Sequence, residues 1–287
     1  MLAAFIAVYL VWGSTYLAIR YAVETIPPFL MGGARFVVSG LLLYAWARAR
    51  GAPKPTAPQW RDATIAGFLM LCLGNGAVGW AEQHVPSGLA ALLVAVVPLW
   101  IVLVDWLRPH GTRARPIVLL GVVVGFLGLI ILVGRGASDG MAVDKTAAVV
   151  LVLASLAWAC GSVFNRHGDR PDSAAMSTGI QMLGGGTGLV LVAVATGELG
   201  KLHLADVSSA SWIGWAYLVT FGSLVGFTAY IYLLRAVTPA KASTYAYVNP
   251  LVAVFLGWAI AGEAVTGRTL GAAAVILAGV AMITSNE

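Results

Sequence analysis

Residues 116–134 read PIVLLGVVVGFLGLIILVG, nineteen consecutive residues without a charged, amide or hydroxyl side chain. Coiled as an α-helix they would extend about 28 Å, close to the ~30 Å thickness of a bilayer's hydrocarbon core. The same ruler carried along the chain gives ten apolar runs, at 2–23, 28–47, 61–83, 86–106, 116–134, 146–165, 174–196, 211–234, 240–261 and 268–284. The breaks between them are short and carry turn chemistry: Pro27-Pro28, Pro53 to Pro58, Pro109 to Pro116, and Gly168 to Pro171. No gap is long enough for a soluble domain. The expected fold is an all-α integral membrane bundle of ten transmembrane helices.

Composition agrees with that reading. The 287 residues are 60% hydrophobic and 10% charged, whereas soluble domains carry about 25% charged residues to cover their surface. Apolar side chains must therefore face lipid. The net charge of +5 does not point to nucleic acid, because the basic residues sit in short gaps and form no aromatic-interleaved patch. Expected partners are the lipid bilayer and a small molecule, with the oligomeric state open. Cys72 and Cys160 fall inside apolar runs, which reads as buried packing and gives neither a disulfide framework nor metal-ligand spacing. No metal and no cofactor is expected. The first run starts without a preceding Lys or Arg and contains Trp12, Gly13, Ser14 and Tyr16, so it reads as a retained helix rather than a signal peptide.

Topology follows from alternate loops. With the N-terminus inside, the cytoplasmic side holds eleven basic residues: Arg48, Arg50, Lys54, Arg61, Arg108, Arg113, Arg115, Arg166, Arg170, Arg235 and Lys241. The opposite side holds five: Arg20, Arg135, Lys145, Lys201 and Arg268. Positive charge stays on the cytoplasmic face, so both termini are expected in the cytoplasm of a bacterial-type inner membrane.

The two halves also match each other. Trp12, followed by Gly13-Ser14, precedes Arg20 by the spacing at which Trp158, followed by Gly161-Ser162, precedes Arg166, and this Trp and Arg offset of 146 also maps Arg35 to Gln181 and Gly40 to Gly186. Pro86 and Pro98 in the fourth run correspond to Pro239 and Pro250 in the ninth. The fifth and tenth continue with Leu120-Gly121 and Leu270-Gly271. Residues 1–134 and 146–284 thus read as two five-helix units. Five is odd, so the second enters from the other side, the inverted repeat of many secondary transporters, which bind substrate near the midplane between halves.

These paired Trp and Arg positions, the twin prolines, and the closing Gly262-Glu263…Arg268…Leu270-Gly271…Gly279 run resemble the EamA repeats that define the drug/metabolite transporter superfamily. The resemblance covers residues 1–284, and its overall shape looks closest to the YddG-type aromatic amino-acid exporters. It implies a transporter of small metabolites, with aromatic or other neutral amino acids first and a threonine-like amino acid, a purine or a toxic amphiphile as alternatives. The Gly262-Glu263 pair has no counterpart in the first half, where Leu107-Arg108-Pro109-His110 stands. Glu263 is accordingly read as a helix-end structural residue.

Several side chains could serve a path through the bundle. Pro98 and Pro250 each remove a backbone donor and free a carbonyl, at Val94 and Ala246, which reads as a paired hinge lining the path or as a static bend. Trp12 and Trp158 lie at mid-depth, with Tyr16 one turn from Trp12, and would either wall a cavity for a planar ligand or pack two helices together. Asn75, between Gly74 and Gly76, and Gln181, before Gly184-Gly185-Gly186, either cross-link helices or bind the polar ends of a substrate. Tyr245 and Asn249 join them beside Pro250. Arg35, about two turns into the second helix, is expected to snorkel outward or pair with Glu24 or Glu82, a substrate carboxylate being the alternative partner. Trp46, Trp60, Trp106 and Trp212 read as an interfacial belt.

Glu24, Glu82, Asp105 and Glu263 lie toward helix ends, so no carboxylate is placed at mid-membrane and facilitated movement down a gradient is expected. There is no P-loop to couple ATP. No H-E-x-x-H, G-x-S-x-G or carboxylate dyad is present, and the sequence does not read as an enzyme.

Overall fold

In a computed structural model the described residues are 1–109, 115–133, 144–236 and 245–284. His110, Arg113, Arg135, Pro239 and Lys241 lie outside them. The chain is helical, with no strand among the described residues. The helices are α1 (Leu2–Ala22), α2 (Pro28–Ala49), α3 (Ala57–Ala81), α4 (Ser87–Leu107), α5 (Pro116–Val133), α6 (Lys145–His167), α7 (Ala174–Ala195), α8 (Ser209–Tyr217, Leu218–Val225 and Gly226–Ala236 in sequence), α9 (Tyr245–Ala261) and α10 (Gly267–Thr284). Eight of them, α1 to α8, are long and apolar enough to cross a membrane, whereas Val248–Ala261 and Gly267–Ile283 are shorter apolar helices. Of the ten spans expected, eight are thus found at full length among the described residues. The ninth has its first expected residues outside the described ones.

Local chemistry sets the boundaries. Thr56 and Gln59 form a reciprocal capping box at the start of α3, with Thr56 N donating to Gln59 Oε1 at 3.0 Å. Asp144 accepts from Thr146 N and Ala147 N at 2.8 and 3.1 Å to open α6, and Ser173 and Ser208 cap α7 and α8. Glu198, buried in a short turn after α7, accepts from the first turn of α2 through Leu30 N at 2.8 Å. Burial pushes its carboxyl up, against the pull of the Leu30 and Phe29 amides.

Two faces of α5 show how the apolar runs divide between lipid and protein. Leu120, Val123, Leu127 and Ile130 recur at helical spacing and are exposed, as a lipid-facing stripe must be. Gly121, Gly125 and Gly128 are buried on the other side. A Cβ on Gly279 of α10 would stand 2.5 Å from Gly125 N, so the two backbones meet at a distance only glycine permits. Trp46, Trp106 and Trp212 are exposed near helix ends.

Several helix pairings have a counterpart when the halves of the chain are interchanged. Helices α2 and α7 pack together, as do α5 and α10. The pair α1–α9 becomes α6–α4, α1–α8 becomes α6–α3, and α2–α8 becomes α7–α3, and all six of those contacts are present. A further equivalence was not expected from the sequence. Residues Phe68–Asn75 of α3 and Leu218–Val225 of α8 are both π-helical, eight residues each. Such widened turns recur at functional sites.

Candidate functional site

Helices from both halves line a cavity of about 240 Å³. That lies below the ~300–1,000 Å³ of common small-molecule sites and suits a compact metabolite better than a large amphiphile. Its walls are mostly apolar and aromatic. Trp12, Thr15, Tyr16 and Ile19 come from α1, Arg35 and Phe36 from α2, and Leu71, Gly74, Asn75 and Val78 from α3. Helices α4, α6, α8 and α9 add Pro98, Trp158, Gly222, Phe227, Tyr245, Asn249 and Pro250.

Trp12 is held firmly. Its Nε1 donates to Gly222 O at 3.2 Å, and its ring lies 5.3, 5.1 and 5.2 Å from those of Phe227, Tyr230 and Tyr245. Gly226 has no room for a side chain against the Trp12 indole. Both glycines belong to or border the π-helical turn of α8, so that turn carries the carbonyl that fixes the indole. Trp158 sits on the other side, packed against the cluster of Phe36, Leu71 and Met182. Asn75 is the last residue of the π-helical turn in α3, which turns it toward the cavity.

The two prolines are not equivalent. Pro250 lies inside α9. Helix α4 is already interrupted at Ala95–Val96, and Pro98 is the second residue of the renewed helix, where Leu99 N and Trp100 N both donate to Val96 O. At that position the missing N–H has no helical partner to lose. The helix is thus broken outright just before Pro98, whereas α9 runs on through Pro250, so the two prolines sit in different local structures.

Gln181 and Arg35 each have partners of their own. Gln181 lies outside the cavity: its Nε2 donates to Asn165 Oδ1 at 3.2 Å and Ser177 Oγ at 3.1 Å, joining α7 to α6. Its backbone also packs so closely on Gly67 of α3 that a Cβ there would strike the Gln181 carbonyl. Arg35 pairs with neither Glu24 nor Glu82. It turns inward, 4% exposed, and its Nε donates to Ser223 Oγ at 3.1 Å. The sequence could place Arg35 at depth but could not say which way it faces.

Next to Ile19, which lines the cavity, Arg20 takes part in a tie between three helices. Glu263, beyond the end of α9, pairs with Arg20 of α1 and accepts from Ser87 N, Ser87 Oγ and Gly88 N of α4 at 2.8, 2.8 and 3.0 Å. Glu82 is buried nearby, and neither carboxylate oxygen has a hydrogen-bond partner. No carboxylate lines the cavity among the described residues, and no group of three His, Cys, Asp or Glu there could hold a metal.

Comparisons with known proteins agree on one kind of molecule. The EamA-like transporter family matches residues 1–134 and 145–285. The uncharacterized inner membrane transporter YedA of Escherichia coli (strain K12) is 38% identical over 285 residues, covering 99% of this chain and 90% of that one. The uncharacterized transporter YoaV of Bacillus subtilis (strain 168) is 24% identical, covering 97% and 94%. A crystal structure of a protein 21% identical superposes with a TM-score of 0.66, over 99% of this chain and 97% of that one, and shares its fold.

Proposed function

The chain belongs to the EamA-like transporter family, and from that premise we propose that it exports small metabolites, amino acids first, aromatic or otherwise neutral, through its central cavity. It is a multi-pass membrane transporter of the drug/metabolite class. The names of the family and of its relatives indicate a transporter and not an enzyme.

Residues 1–134 and 146–284 act as two five-helix repeats of opposite orientation, ten spans in all, with both termini in the cytoplasm. Alternating access follows from rocking one repeat against the other around a fixed cavity. The observation that carries this reading is the position of the cavity: helices of both halves line it, and Trp12 and Trp158, related by the repeat, face it. The likeness to YddG-type exporters and the aromatic walls favour an aromatic or neutral amino acid. Movement is facilitative, since the described lining contains no carboxylate to carry a proton.

Uptake of labelled Phe, Trp, Thr and Ala into proteoliposomes tests the proposal. Saturable uptake of at least one supports it, and none of the four entering would remove the amino-acid assignment. A rate that follows an imposed pH gradient would replace facilitation by proton coupling, with Glu82→Gln as the variant to compare. Protease accessibility of a tag at each terminus tests the orientation, and an outward-facing tag would overturn it.

A further inference from the structure

Two residues that line the cavity each carry a buried polar atom without a partner. Arg35 Nη1 is one and Asn249 Oδ1 is the other. The rest of the Arg35 side chain is held in place: Nε is bonded to Ser223 Oγ at 3.1 Å, and the guanidinium carbon lies 4.7 Å from the centre of the Phe36 ring. Nη2 lies over Gly222, where an added Cβ would approach it to 3.2 Å. The absence of a side chain at Gly222 therefore makes room for the guanidinium beside the π-helical turn of α8.

A guanidinium buried away from water is costly unless an anion compensates it. The three ion pairs among the described residues, Arg20–Glu263, Arg61–Asp62 and Arg108–Asp105, do not include Arg35. Arg35 is the one charged residue among the described residues that line the cavity. Its planar fork presents donors that match a carboxylate better than any other side chain does. Asn249 presents the opposite need, a buried acceptor that lacks a donor, and an ammonium group supplies one.

We propose that Arg35 is the carboxylate anchor of the cavity and Asn249 the ammonium acceptor, so that the site recognises a zwitterion by its two ends. The side chain of such a ligand then lies among Trp12, Trp158 and Phe227. This rests on the cavity being the transport site and narrows its substrate to molecules that carry a free carboxylate. The competing role for Arg35 is structural, a clamp that holds the π-helical turn of α8 through Ser223.

Purified full-length protein separates the two roles through ligand-induced shifts in melting temperature and counterflow in proteoliposomes. The probes are phenylalanine, phenylalaninamide, which lacks the carboxylate, and 3-phenylpropionate, which lacks the ammonium. Phenylalanine should bind best, 3-phenylpropionate less well and phenylalaninamide least. Arg35→Gln should weaken phenylalanine by roughly 10- to 100-fold, the range of a lost charge-assisted hydrogen bond, and leave phenylalaninamide unchanged. Arg35→Lys should recover part of the loss, and it stands in if the glutamine variant does not fold. Asn249→Ala should weaken phenylalanine and leave 3-phenylpropionate unchanged.

The anchor is overturned if phenylalaninamide binds wild-type protein as well as phenylalanine, if no carboxylate probe binds, or if Arg35→Gln lowers the melting temperature without changing the order of ligands. Carboxylate-selective binding through Arg35 without counterflow would keep the anchor and sink transport. Counterflow indifferent to the carboxylate would do the reverse.

Discussion

Arg20 and Glu263, 243 residues apart, form an ion pair that ties the end of α1 to the end of α9. The same carboxylate caps α4 through the amides of Ser87 and Gly88. One side chain therefore fastens three helices, and the capping interactions favour the negative charge at a helix N-terminus. Glu263→Ala should cost on the order of 2 kcal/mol or more, because it leaves two buried amides and a hydroxyl without an acceptor. The Arg20 share is the smaller, since its side chain is 33% exposed and solvent screens the pair. Melting in detergent should show the loss and Glu263→Gln should restore part of it. An alanine variant as stable as wild type would sink this account.

The meeting of α3 and α7 makes a sharper forecast. A Cβ on Gly67 would strike the Gln181 carbonyl, and one on Gly185 would stand 2.5 Å from Gly67 O. Both obstacles are backbone, which cannot rotate away. Gly67→Ala should abolish accumulation of folded protein or lower its melting temperature by many degrees. Gly271→Ala on α10 meets nothing within 4 Å and should stabilise by about 0.5–1 kcal/mol through the unfolded state. Similar behaviour of the two variants would show that close backbone approach is not what these glycines serve.

How much of this was legible without coordinates varies with the kind of information each residue carries. Helix positions were written in the apolar runs, because a bilayer's thickness fixes their length, and the expected 28–47 and 174–196 lie close to Pro28–Ala49 and Ala174–Ala195. The structural use of Glu263 was legible in its place at a helix end. The direction of Arg35 was not, since a single arginine in an apolar run says nothing about which neighbour its face of the helix meets. Nor was the difference between Gln181 and Asn75: both are amides beside glycines, and only the packing of α7 on α3 and α6 turns one of them away from the cavity. The π-helical turns of α3 and α8 have no marker in composition, because they depend on how neighbouring helices fit.

The prolines should behave differently despite matching positions. Pro250 interrupts the hydrogen bonds of α9 from within, whereas Pro98 begins a helix that is already broken at Ala95–Val96. Pro250→Ala should therefore straighten and stabilise α9 while reducing transport per molecule of folded protein. Pro98→Ala should change stability little, because its ring occupies a first-turn position that proline tolerates. Expression measured beside initial transport rates checks this. Equal proportional losses in rate and folded yield at Pro250 would remove the hinge reading.

Trp12 and Trp158 should part company as well. Trp12 donates to Gly222 O and packs against Phe227, Tyr230 and Tyr245, so Trp12→Ala should lose both stability and transport. Aromatic contacts of this kind contribute about 0.5–1.5 kcal/mol each beyond burial, and the freed Gly222 carbonyl adds the cost of an unmet acceptor. Trp12→Phe keeps most of the ring contacts but not the hydrogen bond, and should recover stability ahead of transport if the indole also positions substrate. Trp158 packs at the margin of the Phe36 and Leu71 cluster while facing the cavity, so Trp158→Ala should cost less stability for the same loss of transport. Melting temperatures paired with initial rates for the three variants decide the matter. If transport follows stability along one line through all of them, both tryptophans are packing residues and the aromatic wall does not select the substrate.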